Sequence, residues 1–262
     1  STRVTVPRAG VSLGYAALTL DVIRRFGVSA SGALGGVGGG PGGPGRASAA
    51  AAPTVEVQVG PGPLRGADVT VEGDWSGAAY LLAAAAVTRG RVRVTGLNPE
   101  SAQPDAAIVG ILRAFGAVAE AGAGGTTCVG AGPLRGVRVS LAGAPDLAPL
   151  VGALGCVAEG TTEVVDAPHL RIKESDRIRT VVEAARALGC EAAERGDGFV
   201  IRGGRAHGGS VDTHGDHRLA MAFAVAGLRV PGVRIADPGC VAKSYPSFWS
   251  DVARLCGPAD RA

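Results

Sequence analysis

The strongest constraint on the fold of this chain is an internal repeat. Asp74, Asp146 and Asp216 each stand before an apolar run rich in Ala, Gly and Leu, at spacings of 72 and 70 residues. Pro63-Leu-Arg-Gly66 recurs 70 residues later as Pro133-Leu-Arg-Gly136. Gly27, Gly116 and Gly189, each preceded by Phe or Leu at the close of a helical pattern, are 89 and 73 apart. The surplus of 16 residues falls where Ser29 to Ala52 consists almost wholly of Gly, Ala, Ser and Pro, so that stretch reads as an insertion. Self-similarity at a fixed period means one supersecondary unit built several times, here of about 70 residues. Helix and strand patterns alternate between the markers, which gives the α/β class.

In order, Val11 to Phe26 carries apolar residues at helical spacing and is ended by Gly27. Residues 29–52 cannot bury enough apolar surface to offset their ordering entropy, and a flexible loop is expected. Thr54–Val59 and Ala67–Glu72 alternate apolar and polar residues, which predicts a strand pair. An Asp74-capped buried helix to Val87 and a strand at Gly90–Thr95 follow. The pattern then restarts: helix 106–115, strand 136–141, helix 146–157, strand 160–165, a helix to Leu188, strand 198–202, helix 216–228, strand 232–236 and a last helix.

A net charge of +3 with 4% aromatic residues, and no basic run, excludes a nucleic-acid surface and favours an anionic small molecule. Five widely spaced cysteines without a C-x-x-C pair exclude a disulfide framework and a zinc site, so reduced thiols and a cytoplasmic location are expected. The longest apolar run, near Gly77 to Val87, is too short to span a bilayer, and no signal segment opens the chain. Neither a metal nor a cofactor is expected.

Chemistry concentrates in Arg171-Ile-Lys-Glu-Ser-Asp-Arg177, which opens a helix whose apolar residues are Ile178, Val181, Val182, Ala185 and Leu188. Free N–H groups and the positive dipole end draw anions there, and Lys173 and Arg177 share a face with Glu174 beside them. A solvated helix start laced with ion pairs is the competing reading. Lys173 and Lys243 are the only lysines among 26 basic residues, which points to function where a compact ammonium is wanted. Arg218, one turn into the helix after Asp216, could hold a second anion. Capping accounts for Asp74, Asp146 and Asp216 alike, and a helix start also weakens a carboxylate as a base.

Together these motifs resemble the 5-enolpyruvylshikimate-3-phosphate (EPSP) synthase family. The resemblance rests on Arg171–Arg177, Gly73-Asp74 with its Ala-rich helix, Asp216-His-Arg-Leu-Ala-Met221 and Asp237-Pro-Gly-Cys-Val-Ala-Lys-Ser-Tyr-Pro246, in family order from about Ser12 onward. It implies repeated βαβαββ units of the inside-out α/β barrel type. Residues 1–71 would be the last repeat of one incomplete domain, with the Gly/Ala-rich loop at 29–52, and 72–262 most of the other. It also implies transfer of an enolpyruvyl group from phosphoenolpyruvate to the 5-hydroxyl of shikimate 3-phosphate, without cofactor. Asp146 would be the base and Glu174 the acid. Arg177, Arg218 and Lys243 would meet phosphoenolpyruvate, and Ser12, His169 and Lys173 shikimate 3-phosphate. The family's N-terminal part, with its Gly-Thr-Ala-Met-Arg-Pro stretch, its N-terminal lysine-serine segment and its Ser-Ser-Gln run, does not occur in these 262 residues. A fragment, half of a split enzyme completed by an N-terminal fragment, and a non-catalytic relative that binds a phosphorylated ligand or a partner chain therefore stay open. The related UDP-N-acetylglucosamine enolpyruvyl transferases match the Lys-Glu-Ser-Asp-Arg signature poorly.

Overall fold

Sheets of one strand order recur along the chain, as the aspartate spacing requires. The computed structural model describes residues 1–7, 13–32 and 54–257. β1 (Thr2–Pro7), α1 (Leu13–Arg25), β2 (Ala30–Gly32) and β3 (Thr54–Val59) give an antiparallel sheet ordered β1-β3-β2. After α2 (Trp75–Thr88), β4 (Arg91–Val94), α3 (Ile108–Ala114), β5 (Val118–Gly122) and β6 (Gly125–Val129) give the same arrangement as β4-β6-β5. The next stretch is a whole βαβαββ unit: β7 (Arg138–Ser140), α4 (Ala148–Val157), β8 (Gly160–Val165), α5 (Arg177–Ala187), β9 (Glu191–Arg195) and β10 (Gly198–Gly203). Its sheet runs β7-β8-β10-β9, with β7 parallel to β8 and the other pairs antiparallel. β11 (Ser210–Val211), α6 (His217–Gly227), β12 (Arg234–Ile235) and α7 (Phe248–Cys256) follow, β11 being parallel to β12.

The helices that follow the three repeated aspartates, α2, α4 and α6, pack against one another. Their sequences explain why: both α2 and α4 are apolar around nearly the whole circumference, which suits a helix with no solvent face. Small residues let neighbours approach. A Cβ at Gly152 would run into Val181 of α5, and one at Gly155 would stand 2.9 Å from Thr162 Cβ. Overpacking at such a contact costs about 1–3 kcal/mol, while truncating a buried leucine such as Leu154 costs about 2–5 kcal/mol. Gly27, Gly116 and Gly189 follow α1, α3 and α5 at φ of 82°, 100° and 80°, as glycines past helix ends do. The apolar core around α2, α4 and α6 is separate from a small cluster centred on Leu20 of α1 and Val55 of β3.

Several expectations need correction. Residues 67–72 are not a strand, and β3 pairs with β1 and β2 instead. Val71 is 89% exposed, so the alternation there is not matched by any ladder among the described residues. Alternation specifies a half-buried face, but a strand also needs hydrogen-bonding neighbours. Of the expected loop at 29–52, residues 30–32 form β2, and 33–52 lie outside the described residues. The helices expected from Ala106 and Asp146 each begin instead as a short 3₁₀ turn, at Pro104–Ala107 and Pro145–Leu147.

Candidate active site

Whether each helix start uses its aspartate as a cap is decided locally. Asp74 accepts from the N–H groups of Ser76 and Gly77, and Asp216 from that of Arg218. Asp146 caps nothing. The residue three positions on, which in α2 is the donor Gly77, is here Pro149 and has no N–H. The 3₁₀ turn Pro145–Leu147 instead carries the carboxylate into a cluster of side chains from distant elements. α5 takes its cap from Asp176, which accepts from Arg179 N, and so leaves Arg177 free to turn inward.

Arg177 is the hub. Its side chain is 0% exposed and its guanidinium meets three carboxylates: Nε to Asp216 Oδ2 at 2.8 Å, Nη1 to Asp146 Oδ1 at 2.9 Å and Nη2 to Glu174 Oε2 at 2.8 Å. Asp146 Oδ2 also accepts from Arg218 Nη2 at 2.8 Å and from the Tyr15 hydroxyl at 2.8 Å, while Lys173 Nζ stands 3.5 Å from Oδ1. Lys173 lies over the Tyr15 ring, 5.9 Å from its centre. Glu174 bridges onward, its Oε1 lying 3.3 Å from Lys243 Nζ. Ser175 Oγ donates to Asp216 Oδ2, and Ser76 Oγ to Asp105 Oδ2. Asp105, Asp146, Glu174 and Asp216 thus face Lys173, Arg177, Arg218 and Lys243: four carboxyls among four cations. Buried charges persist only when paired in this way.

The two aspartates nearest Arg218 are driven apart. Burial pushes the Asp146 carboxyl up, but Arg218, Arg177 and Lys173 outweigh it and, with the Tyr15 hydroxyl, hold it at about 2. For Asp105 burial wins over the Ser76 hydrogen bond and Arg218, with Asp146 and Asp74 adding to it, and the carboxyl rises to about 6. Burial likewise raises the Glu174 carboxyl, yet Arg177 and the hydrogen bonds around it bring it below the ordinary value. His169 is buried, lowered first by burial and then by Lys173, and its Nε2 has no partner among the described residues.

The structure therefore brings together Asp146, Lys173, Glu174, Arg177, Arg218 and Lys243. His169 lies near Lys173 and Asp146 without joining the network. Ser12 lies outside the described residues. Reasoning from sequence missed Tyr15 and Asp105, and it took Asp216 for a cap alone. One signal was present for Asp105: Pro104-Asp105 repeats Pro145-Asp146, and both pairs open a 3₁₀ turn.

Comparison with known proteins places this geometry in context. The family model for EPSP synthase (3-phosphoshikimate 1-carboxyvinyltransferase) matches residues 48–252. A 3-phosphoshikimate 1-carboxyvinyltransferase of Methanoculleus marisnigri is 43% identical over 185 residues, covering 71% of this chain and 44% of the relative. One of Halobacterium salinarum is 42% identical over 256 residues, covering 95% of this chain and 55% of the relative. The chain spans about half the length of the curated relatives it matches. Among solved structures, an EPSP synthase of Acinetobacter baumannii is similar with a TM-score of 0.68 and 27% identity, covering 90% of this chain and 53% of that one. The enolpyruvyl transferase NikO of Streptomyces tendae, with a TM-score of 0.65 and 21% identity over 97% of this chain and 55% of its own, shares the fold.

Proposed function

The chain belongs to the EPSP synthase family, and from that premise we propose that it carries one wall of a site that transfers the enolpyruvyl group of phosphoenolpyruvate to the 5-hydroxyl of shikimate 3-phosphate. The observation that carries the proposal is the convergence of Asp146 and Glu174 with four cations, of which Arg177 is the buried guanidinium at the centre and Lys173, Arg218 and Lys243 are the other three. In the addition step the 5-hydroxyl oxygen bonds to C2 of phosphoenolpyruvate as Asp146 takes its proton and Glu174 delivers one to the C3 methylene. A tetrahedral ketal phosphate results. In the elimination step a C3 proton returns to Glu174 and the C2–O bond to phosphate breaks, the proton held by Asp146 passing to the leaving phosphate, which leaves the enol ether, inorganic phosphate and both carboxyls as they began. Acid and base must flank the reacting carbons while fixed cations hold the anionic groups.

The charge balance bears on how such groups could act. Held at about 2, Asp146 is a poor base, and the lowered Glu174 is a poor acid at neutral pH. Anionic substrates compete for the cations that impose both shifts, so binding raises both carboxyls toward the useful range. In this reading Lys243 and Lys173, the more exposed cations, meet ligand first. Arg218 follows when Asp146 yields it, and Arg177 orders the carboxylates until an anion displaces one. His169 and Ser12 are assigned to shikimate 3-phosphate by family likeness alone.

Residues 1–71 as the close of one domain and 72–262 as most of another belong to the same proposal, supported by the two separate apolar clusters. So does a complementing N-terminal part, which the half-length match makes reasonable. A cytoplasmic location is supported by five unpaired cysteines. The test is phosphate release from both substrates, by the chain alone and mixed with the N-terminal part of a family member. Release only on mixing is expected; turnover by the chain alone would remove the need for a complementing part. A mixture shown to form a complex yet inactive would contradict the assignment.

A further inference from the structure

A second buried carboxyl stands on the other nitrogen of Arg218. Asp105 is 1% exposed in the turn Pro104–Ala107, and the cap position before that turn belongs to Gln103. Asp105 Oδ2 accepts from Ser76 and lies 3.8 Å from Arg218 Nη1, while Nη2 of the same guanidinium bonds Asp146 Oδ2 at 2.8 Å. Asp105 Oδ1 has no hydrogen-bond partner among the described residues, and neither has Arg218 Nε. A carboxyl so placed is costly, and an amide or a serine would fill the space at lower cost, so packing alone does not account for it.

We propose that Asp105 is a positioning residue for the transfer reaction, sharing Arg218 with Asp146 and setting how firmly the guanidinium is held against the base. The inference rests on the reading of Asp146 as that base. The groups facing Asp105 are Ser76, Tyr80 and the cap Asp74 from α2, Arg218 from α6, Asp146 from the turn before α4, and Tyr15 from α1. Burial raises Tyr80 to about 12 and, with Asp105 and Asp146, raises Tyr15; Asp146 stays near 2. Arg218 remains a cation, burial being outweighed by Tyr80 and the two aspartates. Just below neutrality, then, Asp105 changes charge while these four neighbours do not. Its protonation leaves Arg218 to Asp146 alone; its ionisation draws the guanidinium back and loosens the base. The nearby His169 and His217 are pushed below the ordinary imidazole value, chiefly by burial, and their ring signals serve as internal controls.

The experiment is carbon-13 NMR of the aspartate carboxyls with nitrogen-15 NMR of the arginine side chains, on the full chain from about pH 4.5 to about pH 8. The Arg218 Nε and Asp146 carboxyl signals are expected to move together through an inflection near 6 that matches Asp105. Ser76→Ala removes a bond that favours the ionised form and moves that inflection up by about 0.5 to 1 pH unit. Asp105→Asn abolishes it, and in the assembled enzyme removes the matching limb of the kcat profile. An Asp105 inflection without response at Arg218 or Asp146, or one indifferent to Ser76→Ala, overturns the proposal, and both hold even if Asp105→Asn fails to fold. No substrate enters the NMR measurement. Absence of turnover in the assembled enzyme therefore counts against the assigned reaction rather than against Asp105.

Discussion

Asp74 and Asp146 occupy equivalent places in successive repeats and are used in opposite ways. Asp74 turns back onto its own helix and satisfies two N–H groups; Asp146 ignores its helix and accepts from groups 131 and 31 residues away in sequence, Tyr15 and Arg177. Asp216 does both: Oδ1 caps α6 and also accepts from Arg177 Nη2, while Oδ2 receives Arg177 Nε and Ser175. Residue type and repeat position are therefore not enough to assign a role. The backbone decides: Pro149 lacks the N–H that Gly77 offers, the N–H of Ala148 is taken by Pro145 O within the 3₁₀ turn, and the carboxylate is left for the side-chain cluster.

Substitutions can break that comparison, the largest effect coming from Asp146→Asn. Asn cannot accept the proton, so kcat of the assembled enzyme should fall by about 10²-fold to 10⁴-fold, measured by phosphate release; a retained rate places the base elsewhere. Asp216→Asn should act on stability first, because it leaves the buried Arg177 with one carboxylate fewer; a loss of about 3–5 kcal/mol in denaturant unfolding is expected. A loss below about 1 kcal/mol would show that capping was its main contribution. Pro149→Ala supplies the missing N–H and tempts Asp146 back onto α4. A cap is worth about 1 kcal/mol, so up to about fivefold in kcat should be lost while stability rises slightly. Asp74→Asn should be nearly silent, with a stability change within about 0.5 kcal/mol, since Asn caps as well as Asp.

How much of this was legible in the sequence differs by level. The helices were, because an Asp cap before an apolar run marks α2 and α6, and apolar periodicity closed by Gly189 marks α5. Strands were less so. β5 (Val-Ala-Glu-Ala-Gly) and β9 (Glu-Ala-Ala-Glu-Arg) lack the β-branched and aromatic residues that mark a strand, and they form because their hairpin partners β6 and β10 are already paired to β4 and β8. The segment 67–72 errs the other way, with strand-like alternation and no ladder among the described residues. At the site, Arg171–Arg177 announced itself by charge density, but the fate of its members did not: three carboxylates enclose Arg177, and their positions are set by α4, α6 and the turn before α5. Tyr15 and Asp105 are single residues contributed from far along the chain, which periodicity cannot connect. Pro145 and Pro149 were visible throughout, and prolines on both sides of Asp146-Leu-Ala148 mark a helix start unlike those at Asp74 and Asp216.

Asp146 is held ionised by Arg218, Arg177 and Lys173, and under the proposed function substrates draw those cations away. Its carboxyl sits at about 2 against an ordinary 3.8, so folding is favoured above the ordinary value and that contribution is lost as the pH falls toward 2. Carbon-13 titration of the Asp146 carboxyl in the assembled enzyme, with and without phosphoenolpyruvate and shikimate 3-phosphate, tests this most directly. An inflection near 2 is expected without ligand, moving up by at least about one pH unit when both are bound. An inflection at the ordinary carboxylate value, or one that ligands leave in place, would contradict it.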